Sequence, residues 1–277
     1  MTVDPQQSKR FLAEHAYAGA GRLNTRLHIQ EHYGTCPVPW FRWVFDRFEF
    51  PAGGHVLDVG SGPGHVWWRN SGQLPGALRL FLGDLSQEMV KSARDNLPGA
   101  GLDASFLCLD CEHIPFADAA FDAVVALGVM DHLPDRQQGL AEIERVLRPG
   151  GELYVSGGGR THLQEIEELV APFLPEIAYG GAPDRFGLEN GAAQLSLHFS
   201  GVQRHVFEDS LHFREAEPII AYAFSEGQVA EMLTGSLRRE FREAVRKRLA
   251  RQGGIRVTRQ KGLFVARKGE VVGEGKP

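Results

Sequence analysis

The sixteen residues His55 to Asn70, HVLDVGSGPGHVWWRN, decide the fold. They open as a short apolar strand, Val56-Leu57-Asp58-Val59, and break at Gly60-Ser61-Gly62-Pro63-Gly64. A helix-like run bearing Trp67 and Trp68 comes next. Strand, glycine turn and helix N-terminus together form an element where bare backbone can approach a ligand and orphan N–H groups face it. The spacing Gly60-x-Gly62-x-Gly64 falls short of the full dinucleotide fingerprint, because His65 is next and no Gly or Ala fills the last place. A glycine turn by itself specifies no ligand. Acids and glycines at set distances along the chain give it meaning.

Downstream, Arg79 to Asp84 reads as a second apolar strand ending in an acid, twenty residues beyond Gly64. That is where a ribose-binding carboxylate belongs in a doubly wound sheet. Ser86 is placed to cap a helix over 87–96. A third strand over 104–109 ends in Asp110-Cys111-Glu112, and a fourth, 121–127, leads into Gly128-Val129-Met130-Asp131-His132. A helix over 136–147 precedes a fifth strand, 152–156, and Gly157-Gly158-Gly159. Strand alternating with helix, with acids and glycines at the strand C-termini, predicts an α/β fold with a parallel sheet and a ligand at that edge. Beyond it the pattern predicts an amphipathic helix over 161–173, a Gly/Pro-rich stretch over 179–187, and a helix from about 186 to 199. An edge strand over 202–213, a short helix over 218–224, a long helix over 228–251 and a last strand over 255–267 complete the chain.

Upstream, 11–18 reads as a short helix and 40–48 as an amphipathic helix docking its aromatic face on a core. Residues 26–36 are poor in aliphatics and suit covering a ligand. The expected organisation is a helical lid over 1–50, a ligand-binding core over 51–160, and a substrate-side insertion with strand six over 161–227. A C-terminal helix and last strand over 228–268 return to the core, and 269–277 forms a disordered tail. With 30 Lys plus Arg against 35 Asp plus Glu, the net charge of −5 demands no polyanionic partner. Three cysteines without a CxxC pair suit a reducing compartment, and no apolar run reaches membrane-spanning length. The expectation is a cytoplasmic monomer or homodimer without membrane attachment. His28 and His32 share a helix face, but no third ligand is spaced for a metal, so none is expected.

Five segments in order carry a family resemblance: Val56 to Gly64, Asp84, Leu109-Asp110-Cys111-Glu112-His113-Ile114-Pro115-Phe116, Phe121-Asp122-Ala123-Val124-Val125, and Val146-Leu147-Arg148-Pro149-Gly150-Gly151. They resemble class I S-adenosylmethionine-dependent methyltransferases, more narrowly the branch holding quinone-biosynthesis and many small-molecule enzymes. The resemblance implies a Rossmann-like, mostly parallel seven-stranded sheet with helices on both faces, a helical lid, and a helical insertion after strand five. It implies S-adenosyl-L-methionine as cofactor and a small molecule as substrate. Backbone N–H groups of Gly60, Ser61 and Gly62 would hold the amino-acid end, with Asp58 near the sulfonium or amine. Asp84 would take both ribose hydroxyls, since a carboxylate offers two oxygens to a vicinal diol. Leu85 and Met89 would flank the adenine, Asp110 and the Cys111 amide would read its edge, and Leu127 would touch the methionine portion. Tyr33 would meet the cofactor from above. A helix-capping role is the other reading of Asp84 and Asp110. Gly128 and Asp131 depart from relatives toward a more open, more acidic mouth.

Methyl transfer from a sulfonium is an in-line displacement, so positioning and exclusion of water can carry much of the catalysis. A base is needed only for an acceptor that arrives protonated. Asp131, His132 and His162 are the candidates, with Asp131 expected to raise the pKa of His132. Helix capping near Pro134 is the other reading of Asp131 and His132. One of Trp67 and Trp68 is expected in the core and the other beside an aromatic substrate. Two further functions compete. Twelve basic residues between Arg238 and Lys268, against Glu240 and Glu243, could track RNA phosphates, although Phe241, Val245 and Leu249 give that helix an ordinary buried stripe. A non-catalytic adenosylmethionine-binding protein would keep the same glycine turn and acids.

Overall fold

The two faces of one sheet organise the molecule. The structure, a computed structural model, describes residues 20–75, 77–97, 103–175 and 185–270. In chain order its elements are α1 (Ala20–His32), α2 (Trp40–Phe45), β1 (His55–Val59), α3 (His65–Trp68), β2 (Arg79–Asp84), α4 (Gln87–Asn96), β3 (Asp103–Cys108), β4 (Phe121–Leu127) and α5 (Arg136–Val146). Next come β5 (Leu147–Gly158), α6 (Gln164–Val170), α7 (Gly191–Leu195), β6 (Ser200–Phe213), α8 (Ala216–Ser225), α9 (Gly227–Met232), α10 (Gly235–Gln252) and β7 (Ile255–Arg267).

The strands form a seven-stranded sheet in the order β3-β2-β1-β4-β5-β7-β6. Neighbours from β3 to β5 are parallel, while β7 runs antiparallel to both β5 and β6. This is the Rossmann-like sheet that the resemblance implies. Period-two alternation divides its side chains. Leu57 and Val59 of β1, Val124 of β4 and Val155 of β5 pack with Leu140, Ile143 and Val146 of α5 on one face. Val56, Leu80, Val125 and Tyr154 pack with Trp40, Val44 and Phe45 of α2 and Trp67 of α3 on the other. A further core gathers α6, α8 and α10 against the Leu211–Phe213 end of β6, with Ile29 of α1 included.

The expected β1, β2, β4 and β7 agree with the structure, and Ser86 caps α4 by accepting the Met89 amide. The predicted helix over 228–251 is two helices. Leu233 is fully buried between them, and Gly235 takes φ +54°, a turn that a continuous helix cannot contain. The helix predicted over 161–173 shortens to α6, and that over 186–199 to α7 with a turn after it. The predicted helix over 11–18, most of the 179–187 stretch and most of the expected tail lie outside the described residues. Among the described residues no helix is long and apolar enough to cross a membrane, and no group of three or more His, Cys, Asp or Glu could hold a metal ion.

Candidate functional site

A cavity of about 1020 Å³ lies at the C-terminal ends of β1, β2, β4 and β5. In an open α/β sheet this edge is where crossing connections part and ligands bind. Helix α1 roofs it. Leu23, Arg26, Leu27 and Gln30 line the cavity, three and four residues apart on one helical face. Of the 26–36 segment expected to cover a ligand, only the 26–30 part lines the cavity. From the opposite side, the junction of α8 and α9 brings Tyr222 and Glu226. Gln30 Nε2 donates to the Tyr222 hydroxyl at 2.7 Å, and Arg26 pairs with Glu226 at 2.6 Å.

Asp58, Gly60, Ser61, Gly62, Asp84, Leu85, Met89, Asp110, Cys111 and Leu127 all line one half of this cavity. Gly60 and Gly62 adopt φ +67° and +52°, which side chains tolerate poorly. A Cβ on Gly60 would also lie 2.4 Å from Val129 Cγ2. The turn's amides, however, are engaged inside the protein. Ser61 N–H donates to the Gly83 carbonyl at 3.0 Å and Gly62 N–H to Asp84 Oδ2 at 2.9 Å. This corrects the expected picture of free donors at Ser61 and Gly62. What the turn presents is close, side-chain-free backbone.

Asp84 Oδ1 accepts the Ser86 amide at 2.8 Å, so each carboxylate oxygen already holds one N–H. Four lone-pair sites leave room for a diol on the cavity side. Burial pushes the Asp84 carboxyl up, and the amides of Ser86, Gly62 and Leu85 pull it back in part. Ser86, not Asp84, caps α4. Asp110 Oδ1 accepts the Glu112 amide at 3.0 Å in a tight local turn. Asp58 is buried on the α3 face, where its Oδ2 accepts the Trp67 indole N–H at 2.6 Å. Burial drives its pKa to about 8, with the Trp67 bond opposing and the Asp84 charge adding to the rise.

Asp131, His132 and His162 line the other half. Asp131 and His132 sit on the 3₁₀ turn Met130–His132, and α5 is capped instead by Asp135, which accepts the Gln138 amide. Asp131 pairs with Arg185 at 3.2 Å, so the acid expected at an open mouth is neutralised. Gly128 does leave space, since a Cβ there would meet nothing within 4 Å. The expected rise in the His132 pKa is reversed. Burial, then Arg185 and Arg26, lower it to about 4. His162 is likewise held well below the usual range by burial, Lys261, Arg259 and Arg185. Both imidazoles are neutral at physiological pH.

Tyr33 is placed elsewhere. Its carbonyl accepts the His212 amide, and neighbouring Gly34 bridges to Leu211, so the chain is pinned along edge strand β6. The ring packs on Phe213 at 4.8 Å between centroids and does not reach the cavity. Trp67 is the core residue of its pair. Trp68 is 36% exposed and stacks under Arg69, so it borders no substrate space. Arg26, Gln30, Arg185, Tyr222, Glu226 and Lys261 escape local sequence reasoning, because four separate segments bring them together. The one available signal is in β7, where Arg259 and Lys261 interrupt an otherwise apolar face formed by Ile255, Val257 and Leu263.

Half of the twelve basic residues in the C-terminal run are engaged within the chain. Arg242 and Arg246 pair with Glu217, Arg248 with Glu168, Arg259 with Asp209, and Arg267 with Glu152. Lys268 Nζ donates to the Glu144 and Leu147 carbonyls.

Residues 57–155 match the family model of a methyltransferase domain. The chain is 37% identical over 143 residues to Methyltransferase GfsG of Streptomyces halstedii, covering 45% of this chain and 49% of that protein. It is 34% identical over 119 residues to the ubiquinone/menaquinone biosynthesis C-methyltransferase UbiE of Geotalea uraniireducens, covering 42% and 50%. The chain thus spans about half the length of these relatives. Among solved structures, the YcgJ protein of Bacillus subtilis superposes with a TM-score of 0.57 at 20% identity, over 83% of this chain and 98% of that one. Haemonchus contortus phosphoethanolamine N-methyltransferase 2, in complex with S-adenosyl-L-methionine, gives 0.58 at 17%, over 95% and 60%. At those identities the shared property is the fold.

Proposed function

We propose that the chain is a class I S-adenosylmethionine-dependent methyltransferase, a reading supported by the methyltransferase-domain match and the relatives, and that it transfers a methyl group to an O, N, S or C nucleophile of a small molecule. The observation that carries it is Asp84, whose carboxylate ends β2 beside the glycine turn and faces the cavity with lone pairs to spare. S-Adenosylmethionine fits the residues present. Asp58 is a buried acid partnered by an indole and, among the described residues, not by a cation, which suits a sulfonium or ammonium. Asp84 suits the ribose diol, Leu85 and Met89 suit the faces of the adenine, and Asp110 and Cys111 suit its edge. Gly60, Ser61, Gly62 and Leu127 leave space for the methionine portion. When bound, the cofactor supplies an electrophilic methyl group whose leaving thioether needs no protonation.

The chain's own work is then orientation and partial desolvation. Leu23, Leu27 and Tyr222 cover one side of the cavity with apolar surface, which strengthens the polar contacts beneath them. His132 and His162, held neutral by burial and neighbouring cations, offer hydrogen-bond acceptors that orient the nucleophile, and their lowered pKa makes them weak bases, which favours an acceptor that arrives already deprotonated. Asp131, engaged by Arg185, serves to position that arginine at the cavity. A concave cavity of this size favours a small molecule over a nucleic acid, and the ion pairs along α10 and β7 weigh the same way. A cytoplasmic monomer or homodimer without membrane contact remains part of this reading.

Calorimetric titration with S-adenosylhomocysteine, beside NADH, tests it. Saturable binding of the homocysteine product alone is expected. Asp84→Ala should weaken it about 100-fold, since two hydrogen bonds to a carboxylate contribute on the order of 3 kcal/mol. Folded wild-type protein that binds nothing at millimolar product would sink the proposal.

A further inference from the structure

Four basic side chains line the cavity: Arg26, Arg160, Arg185 and Lys261. Arg26 and Arg185 face Glu226 and Asp131, and Arg160 lies exposed at the rim. Lys261 is different. It sits within β7, opposite Gly158 of β5 and Phe207 of β6, and is partly buried. Among the described residues no carboxylate pairs with its ammonium and no hydrogen-bond acceptor receives it. Its one close partner is the Trp40 ring, 4.3 Å away. Asp209, the acid that acts on it electrostatically, is already bound by Arg259 at 2.6 Å and by the Thr35 and Cys36 amides. Arg26 faces Lys261 from α1, Arg259 from its own strand and His162 from the segment after β5, and none of these supplies negative charge.

An aromatic face contributes far less to a desolvated ammonium than a carboxylate does. Burial, Arg259 and Arg26 accordingly pull the Lys261 pKa down to about 7. Arg26, Arg185 and Arg259, the neighbouring internal cations, each have a counter-ion, so the unmatched amine marks where an occupant must supply one. We infer that Lys261 is a specificity-determining residue, and that this end of the cavity takes a small molecule bearing an oxyanion, which pairs with the amine above Trp40. The inference rests on the proposed function only in naming that molecule the methyl acceptor. A carboxylate and a phosphate share the required chemistry.

The test is calorimetry on the ligand-free protein with benzoate, phenyl phosphate and uncharged benzamide as probes, run beside S-adenosylhomocysteine. At least one anionic probe should bind tenfold or more tighter than benzamide, and the stronger of the two identifies the anion. Lys261→Met should erase that preference while leaving the affinity for S-adenosylhomocysteine within twofold, and Lys261→Arg should retain it. Lys261→Gln replaces the Met variant if that one does not fold. Equal binding of anionic and neutral probes by the wild type, or a preference that survives Lys261→Met or Lys261→Gln, would overturn the inference. Loss of S-adenosylhomocysteine binding with the anion preference intact would instead remove the proposed function and leave the oxyanion site standing.

Discussion

Asp58 illustrates how one buried carboxyl can couple a ligand to pH. Its folded pKa of about 8 stands well above the ordinary carboxylate value near 4, so the native state binds the extra proton between those limits. Stability therefore falls as pH rises from about 4 to 8 and levels off beyond. Asp58→Asn keeps an oxygen for the Trp67 indole and removes the titration. Its stability relative to wild type should grow across that window, as urea denaturation at pH 5 and pH 8 would read. A cationic ligand reverses the preference, because it favours the ionised acid. Adenosylmethionine affinity should then rise with pH by up to about tenfold per unit below 8, with proton release on binding, and this slope should vanish in Asp58→Asn. Calorimetry in buffers of different ionisation enthalpy measures the released proton, and a flat profile would show that Asp58 does not face the cation.

At the scale of elements, the roof is tied to the sheet by one buried network. Arg259 and Asp209, 3% and 1% exposed, pair at 2.6 Å across β7 and β6. Arg259 also donates to the Gln30 side-chain oxygen at 3.0 Å, and Gln30 reaches Tyr222 of α8. Burial pushes the Asp209 carboxyl up, but the Cys36 amide, Arg259 and the Thr35 amide together hold it below its usual value. Asp209→Ala leaves the guanidinium buried without a counter-ion. It should cost about 3–5 kcal/mol, measured by chemical denaturation, because the desolvated charge is stranded. A loss below about 1 kcal/mol would mean that α1 moves to let water reach Arg259. The edge strand itself was legible in the sequence as alternation over 202–213. Its charge partner was not, because Arg259 arrives from fifty residues downstream.

For the whole molecule, cavity formation depends on three packed clusters meeting at one edge of the sheet. A ligand that bridges the glycine turn and Asp84 binds only the folded chain, so it raises stability by mass action. At 100 times its dissociation constant, S-adenosylhomocysteine should add about 2.7 kcal/mol and raise Tm by roughly 5–10 °C in a domain of this size. Thermal unfolding with and without the product reads this directly. Asp84→Ala, binding about 100-fold more weakly, should cut the shift at the same concentration to roughly 1–2 °C, and an unchanged Tm in wild type would contradict binding at this site.

The amino-acid sequence by itself determined the sheet, the glycine turn and the acids at the strand ends. Those features are written in local alternation, in residues that tolerate positive φ, and in short spacings within one strand–helix unit. Asp84 and Gly62 lie 22 residues apart and still belong to one such unit. Only the tertiary structure decided that the Ser61 and Gly62 amides are engaged by Gly83 and Asp84, that His132 is held neutral, and that Tyr33 is pinned to β6 away from the cavity. It alone joined Arg26, Arg185, Tyr222 and Lys261 around one space. The physical reason is shared: burial and charge at a site are sums over neighbours from distant segments, and no window of sequence contains them.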